Sequence, residues 1–189
     1  MDRTDTSAVA AMLGRVPRGE GSVALRCHMG LPVVVEVPPL LPGGEPFPTL
    51  YWLTCPLAVG RVGRVEDAGA VKEMSESMDV SRADADYAAR RDLALAALAT
   101  PVSAGPRPSG GVGGARGGVK CLHSRYAFWL VGGDDPAGAE TARRVGRLDC
   151  EAPCVPGESA TEVEIRRRGG LGPDAPFAGV PARSEVFGS

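Results

Sequence analysis

Two stretches crowded with glycine and proline limit what this chain can fold into. The chain has 26 glycines and 17 prolines among 189 residues, and the excess sits around 101–118 and after about residue 150. Glycine loses the most backbone freedom on ordering, and proline removes a hydrogen-bond donor. Regular structure is therefore expected in roughly the first hundred residues and again over 119–147. Residues 101–118 are expected to be loop. From Cys150 onward the composition is polar and without periodicity, which predicts a flexible tail over 150–189 behind a single domain of residues 1–149.

Inside those limits the pattern changes once. "TSAVAAML" (6–13) predicts a short helix. "SVALRC" (22–27), "PVVVEV" (32–37) and "TLYWLTC" (49–55) predict strands, the second β-branched on both faces and so buried. After Pro56, a favoured first helical residue, Leu57, Val59, Val62 and Val65 recur at helical spacing. "SRADADYAARRDLALAALA" (81–99) is an alanine- and leucine-rich helix that stops before Pro101. Leu122, Tyr126 and Trp129 favour a helix over 119–131, with strand as the alternative. A further helix is expected within 137–147, with Asp135 capping it at Pro136 or Ala137. Asp134 and Asp135 could also bind a cation, but the turn is the preferred reading. The fold class that follows is α+β: a small antiparallel sheet from the N-terminal third with helices packed on it.

Charge and composition narrow the function. Twenty-one basic and 23 acidic residues leave a net charge of −2, and aromatics make up 5%. Neither gives a basis for nucleic acid or an anionic membrane as partner. No apolar run reaches the roughly 18–20 residues of a membrane span, since Leu31–Leu41 is interrupted by Pro32, Pro38 and Pro39. "MDRTDTSAVAAMLGRVPRG" does not read as a signal peptide, so a cytoplasmic location is expected. In that reducing compartment, five cysteines are ligands, nucleophiles or inert core thiols rather than disulfides.

The chemistry gathers in "GGVGGARGGVKCLHSRYAFWLVGGDDP" (110–136). Gly113 and Gly118 have the first spacing of a nucleotide-binding P-loop. Val119 then stands before Lys120, and Cys121 replaces the hydroxyl that would hold magnesium, so a P-loop is set aside. A looser anion cradle remains, built from Gly113, Gly114, Arg116 and Gly118 with Lys120; its alternative is a loop that permits tight packing. The only two histidines stand next to cysteines, His28 beside Cys27 and His123 two after Cys121. Cys27, Cys55, Cys121 and His123 make a tetrahedral donor set for zinc, or for an iron–sulfur cluster if a fourth ligand is supplied. Cys121 and His123 can both ligate only if Cys121 lies in the loop or helix cap, because i and i+2 on a helix diverge. Two alternatives stay open. Cys121 could be a metal-free nucleophile activated by Lys120, by Arg125 if it lies near, and by a helix N-terminus, with His123 or His28 as base. The cysteines could instead be core residues of a non-catalytic partner-binding protein. Cys150 and Cys154 read as incidental, and "RRR" (166–168) as a solvated segment.

"RCHMGLPVVVEVPPL", "PFPTLYWLTCPL" and the glycine-rich block, in that order over roughly residues 10–147, resemble a bacterial family known as domain of unknown function 501. Its blocks run R-C-x-x-G-x-P, P-F-P-T-x-x-W-L-T-C-P and G-[IV]-K-C-L-H-x-H-x-A, so Cys27, Cys55, Cys121 and His123 occupy matching positions. Arg125 replaces the last histidine, and Asp135 replaces the usual asparagine before proline. The resemblance implies no activity. If the family's ligand set uses that histidine, His28 must replace it here or binding must differ. The family's genes often lie near those for a septum-formation protein, enolase and an exopolyphosphatase, which hints at phosphate metabolism or cell division. The expectation is a cytoplasmic Cys/His centre beside an anion-accepting loop, acting on a small phosphorylated or carboxylated molecule. The partner-binding alternative would place it in cell-division or envelope regulation.

Overall fold

In a computed structural model, which describes residues 1–17, 19, 21–98, 106–155 and 186–187, the chain forms one antiparallel sheet and six α-helices. Helix α1 (Arg3–Leu13) is capped by Asp2, whose side chain accepts from the Asp5 N–H. Strands β1 (Ser22–Arg26), β2 (Pro32–Glu36) and β3 (Tyr51–Leu53) follow in spatial order β1-β2-β3. Val23 pairs with Val35, and Val35 in turn with Trp52. The central β2 is buried along Pro32–Val35, as its β-branched run predicts. Val34 joins the larger core, whereas Val35 and Val37 pack with Val9 and Met12 of α1, so both faces of the strand are covered.

The helical part begins at Pro56, the first residue of α2 (Pro56–Asp67). The pattern that continues to Met74 is interrupted at Gly69, whose φ of 88° starts a second helix, α3 (Ala70–Ser77). Helix α4 (Ser81–Ala96) follows. The predicted helix of 119–131 is α5 (Leu122–Leu130), buried at every position but His123. It is the centre of the molecule, because β3, α2 and α6 (Pro136–Val145) all pack against it. Tyr51 of β3, Tyr87 of α4 and Phe128 of α5 form an aromatic cluster with ring centroids 5.2–6.0 Å apart. The Tyr87 hydroxyl accepts from the Leu50 N–H at 2.5 Å, which satisfies the polar end of a fully buried ring.

Helices α5 and α6 approach closely because Gly138 has no side chain. A β-carbon there would stand 2.5 Å from the Arg125 carbonyl oxygen and 2.6 Å from Trp129 Cβ. Gly138→Ala is therefore expected to force the helices apart and cost about 1–3 kcal/mol in urea unfolding, despite alanine's better helix propensity. A neutral or stabilising result would contradict this packing. At the start of α6, Asp135 accepts from the Ala137 and Gly138 N–H groups at 3.0 Å each, as the sequence predicts.

Of the segment expected as a tail, residues 150–155 and 186–187 are described, and Val155 and Val186 are buried. The Leu148 N–H donates to the Val186 carbonyl at 2.7 Å, and Leu148 bridges to Phe187. The packed body thus includes these residues. The triple arginine of 166–168 lies outside the described residues. Among the described residues, no helix is long and apolar enough to cross a membrane.

Candidate metal centre

Cys121 is the N-cap of α5, with extended backbone (φ −150°, ψ 120°). That conformation removes the i, i+2 objection. Its side chain leaves the chain before the helix begins, so it and His123 can face one point. The third group comes from elsewhere: Glu66 sits in the last turn of α2, and its carboxylate receives the Leu122 N–H on Oε1 at 2.6 Å. A helix N-terminus with unsatisfied N–H groups attracts such a carboxylate. One ligand atom each from Glu66, Cys121 and His123 lies within 4.8 Å of the other two. Donors at zinc bond lengths of 2.0–2.3 Å stand about 3.3–3.8 Å apart around a tetrahedral ion, so closing this group takes roughly 1 Å of side-chain movement.

The histidine is oriented for it. His123 Nε2 lies 3.1 Å from the Val59 carbonyl oxygen, which can only accept, so Nε2 carries the hydrogen. Nδ1 then faces Glu66 Oε2 at 3.3 Å. A backbone carbonyl on the far nitrogen is a common second partner of a metal-binding imidazole. Burial pushes the Cys121 thiol up, but hydrogen bonds from His123 and Ser124 outweigh it, and the net shift is downward. Burial disfavours the charged His123 imidazole, yet Cys121, Glu66 and the Val59 carbonyl overcome it and push the group up to about 9.

The sign of that shift gives a test. A raised value means the imidazolium stabilises the metal-free fold fully below histidine's ordinary range, and that contribution is lost as pH rises through about 9. An NMR titration of metal-free protein is expected to show His123 titrating near pH 9, well above histidine's ordinary range. Addition of a metal ion should abolish the His123 titration.

Cys27 and Cys55, expected in the same donor set, do not belong to this group. They line a separate cavity with Cys150 and Cys154. His28 is exposed and turned to the Cys150 carbonyl, with Nε2 at 3.0 Å. Sequence reasoning missed Glu66, whose one signal was an acidic residue on a helix otherwise patterned for the core.

The glycine loop before Cys121 is fastened down. The Gly111, Gly114 and Ala115 N–H groups donate within the loop, Val112 N–H donates to Asp84 Oδ1 at 2.9 Å, and Val119 N–H to Ser75 Oγ at 3.2 Å. A β-carbon at Gly111 would fall 2.1 Å from Asp84 Cγ. Gly113, Gly114 and Gly118 adopt positive φ of 65°, 74° and 66°. Much of the backbone that could cradle an anion therefore serves packing, while Arg116 and Lys120 remain exposed.

Arg125 is fully buried. It pairs with Asp84 at 2.8 Å and with the equally buried Asp135 at 3.2 Å, and it donates to the Gly118 carbonyl at 3.0 Å. The two positions at which the chain departs from the resembled motif thus face each other, and Arg125 is occupied in holding the loop and α6 rather than in a ligand set.

None of the curated proteins or solved structures compared matches the chain. Residues 23–143, more than half of its length, match the family described as "Protein of unknown function (DUF501)". That span takes in the three sequence blocks, Glu66 and the buried Arg125–Asp135 pair, and the chain belongs to the DUF501 family.

Proposed function

We propose that Glu66, Cys121 and His123 bind a single transition-metal ion, zinc by the chemistry of the donors, and leave one coordination position for water or substrate. The observation that carries this is the meeting of three different ligand types within 4.8 Å. The Val59 carbonyl supports it by fixing the imidazole tautomer. Three protein ligands with an open fourth place are the arrangement of catalytic rather than structural zinc. Such an ion lowers the pKa of bound water and polarises a carbonyl or phosphoryl oxygen. Lys120, next in sequence to Cys121, and Arg116 supply exposed positive charge for a small phosphorylated or carboxylated substrate, and the reaction class is metal-assisted hydrolysis or transfer. Elemental analysis of the full chain is expected to find zinc that Cys121→Ser releases. Zinc content identical in wild type and Cys121→Ser would exclude this centre.

A second reading rests on the lowered Cys121 thiol and the raised His123 imidazole, which together describe a thiolate–imidazolium pair. In that reading Cys121 is a nucleophile and His123 its proton partner. Iodoacetamide at neutral pH is then expected to label Cys121 first. Zinc that fails to protect Cys121 from labelling would favour this reading over the metal centre.

A further inference from the structure

Four of the five cysteines surround one cavity. Cys27 follows β1, Cys55 caps α2, and Cys150 and Cys154 belong to the segment after α6. They line a small space, partly open to solvent, together with Met12, Met29 and an otherwise apolar wall. No carboxylate or histidine side chain lines it. Six sulfur-bearing residues from distant parts of the sequence therefore line one space. Soft thiolate and thioether donors of this kind select zinc, copper(I) or iron–sulfur centres over hard cations.

The spacing chooses among these. A single zinc ion bound through four thiolates at 2.3 Å draws their sulfurs to about 3.8 Å from one another. Among the described residues, no three of these cysteines bring their sulfurs within 4.8 Å of one another, although the Glu66 group does meet that limit. As the side chains stand, these sulfurs are not gathered as the donors of a single ion are. Around an iron–sulfur cluster the thiolates bind different irons, and their sulfurs stand apart by the width of the cluster. We infer that Cys27, Cys55, Cys150 and Cys154 are the four ligands of an iron–sulfur cluster, a centre separate from that of Cys121 and His123. The surroundings agree with a thiolate centre. Cys55 is buried, and its thiol lies within electrostatic reach of Cys150 and Cys154. Tyr126, fully buried, has a hydroxyl without a hydrogen-bond partner, and that hydroxyl is within electrostatic reach of Cys55. The His28 ring at the Cys150 carbonyl ties the late segment to the β1–β2 turn.

The test is anaerobic reconstitution of the full chain with ferric iron, sulfide and a thiol reductant, which supplies the electrons for any ferrous sites of the cluster. The expected product is brown, with charge-transfer absorption in the visible and about two to four irons per chain matched by acid-labile sulfide. Cys154→Ser and Cys55→Ser should each lose most of that absorption, and Cys121→Ser should keep it. Circular dichroism of the unreconstituted variants identifies any that fail to fold. The wild type decides independently of the variants: no sulfide-dependent chromophore, or a colourless product with one zinc protecting these four cysteines from alkylation, overturns the inference. Zinc loss from Cys121→Ser with the chromophore retained separates this centre from the one proposed above.

Discussion

Arg125→Ala is expected to destabilise the protein by roughly 3–5 kcal/mol, the usual cost of removing one partner from a buried ion pair. Arg125 has no exposed surface, and its guanidinium holds Asp84, Asp135 and the Gly118 carbonyl at once. Alanine would leave the buried Asp135 carboxylate with the Ala137 and Gly138 amides but no cation. It would also free the loop that leads into Cys121. For a chain of this size the change corresponds to a fall in Tm on the order of 10 °C. The double variant Arg125→His with Asp135→Asn exchanges the ion pair for two neutral groups and is expected to recover more than half of the loss. Urea unfolding of both variants checks the pair. A single-variant cost under about 1 kcal/mol would show that Arg125 is not what holds α5 to α6 and the loop.

Glu66→Gln is expected to weaken zinc binding by more than about 100-fold while costing the metal-free fold no more than about 1 kcal/mol, the share of a partly exposed ion pair. Loss of an outer-sphere partner alone typically costs 10–100-fold in metal affinity, and Glu66 is placed as a direct ligand. Glutamine keeps an acceptor for the Leu122 N–H, so the α2–α5 contact survives and only the anionic donor is lost. Glu66→Asp offers the complementary case, since the charge stays but the shorter side chain cannot reach both Leu122 and the ion. Competition titrations against a chelating dye measure both variants. Wild-type affinity in Glu66→Gln would remove the carboxylate from the centre and leave the thiolate–imidazolium pair.

How much of this was legible from sequence depends on how far apart the cooperating residues lie. Local signals carried well: Pro56 opens α2, Asp135 caps α6, and the β-branched Val33–Val35 run is buried on both faces. The condition that Cys121 must lie in a cap for His123 to join it follows from helix geometry, and the structure meets it. The break at Gly69 was hidden because apolar spacing continues across it, and one left-handed residue leaves no mark on periodicity. Glu66 was not visible because it reaches Cys121 through the packing of α2 on α5, and beside Asp67 it resembles any solvated acidic residue on a helix. Cys150 and Cys154 sit in polar, proline-rich sequence that suggested a tail. Their place beside Cys55 depends on buried Leu148, Val155 and Val186, too few apolar residues to make a pattern. Arg125 reads in the sequence only as the residue in place of the motif's histidine and a candidate neighbour of Cys121, because its partners Asp84 and Asp135 come from distant positions.

Cobalt(II) added to the metal-free full chain tests the Glu66–Cys121–His123 centre most directly, because cobalt reports its own geometry and ligands. Intense tetrahedral d–d bands and a thiolate-to-cobalt charge-transfer band are expected, with both lost in Cys121→Ser and in His123→Ala. A spectrum unchanged by either substitution would contradict the centre.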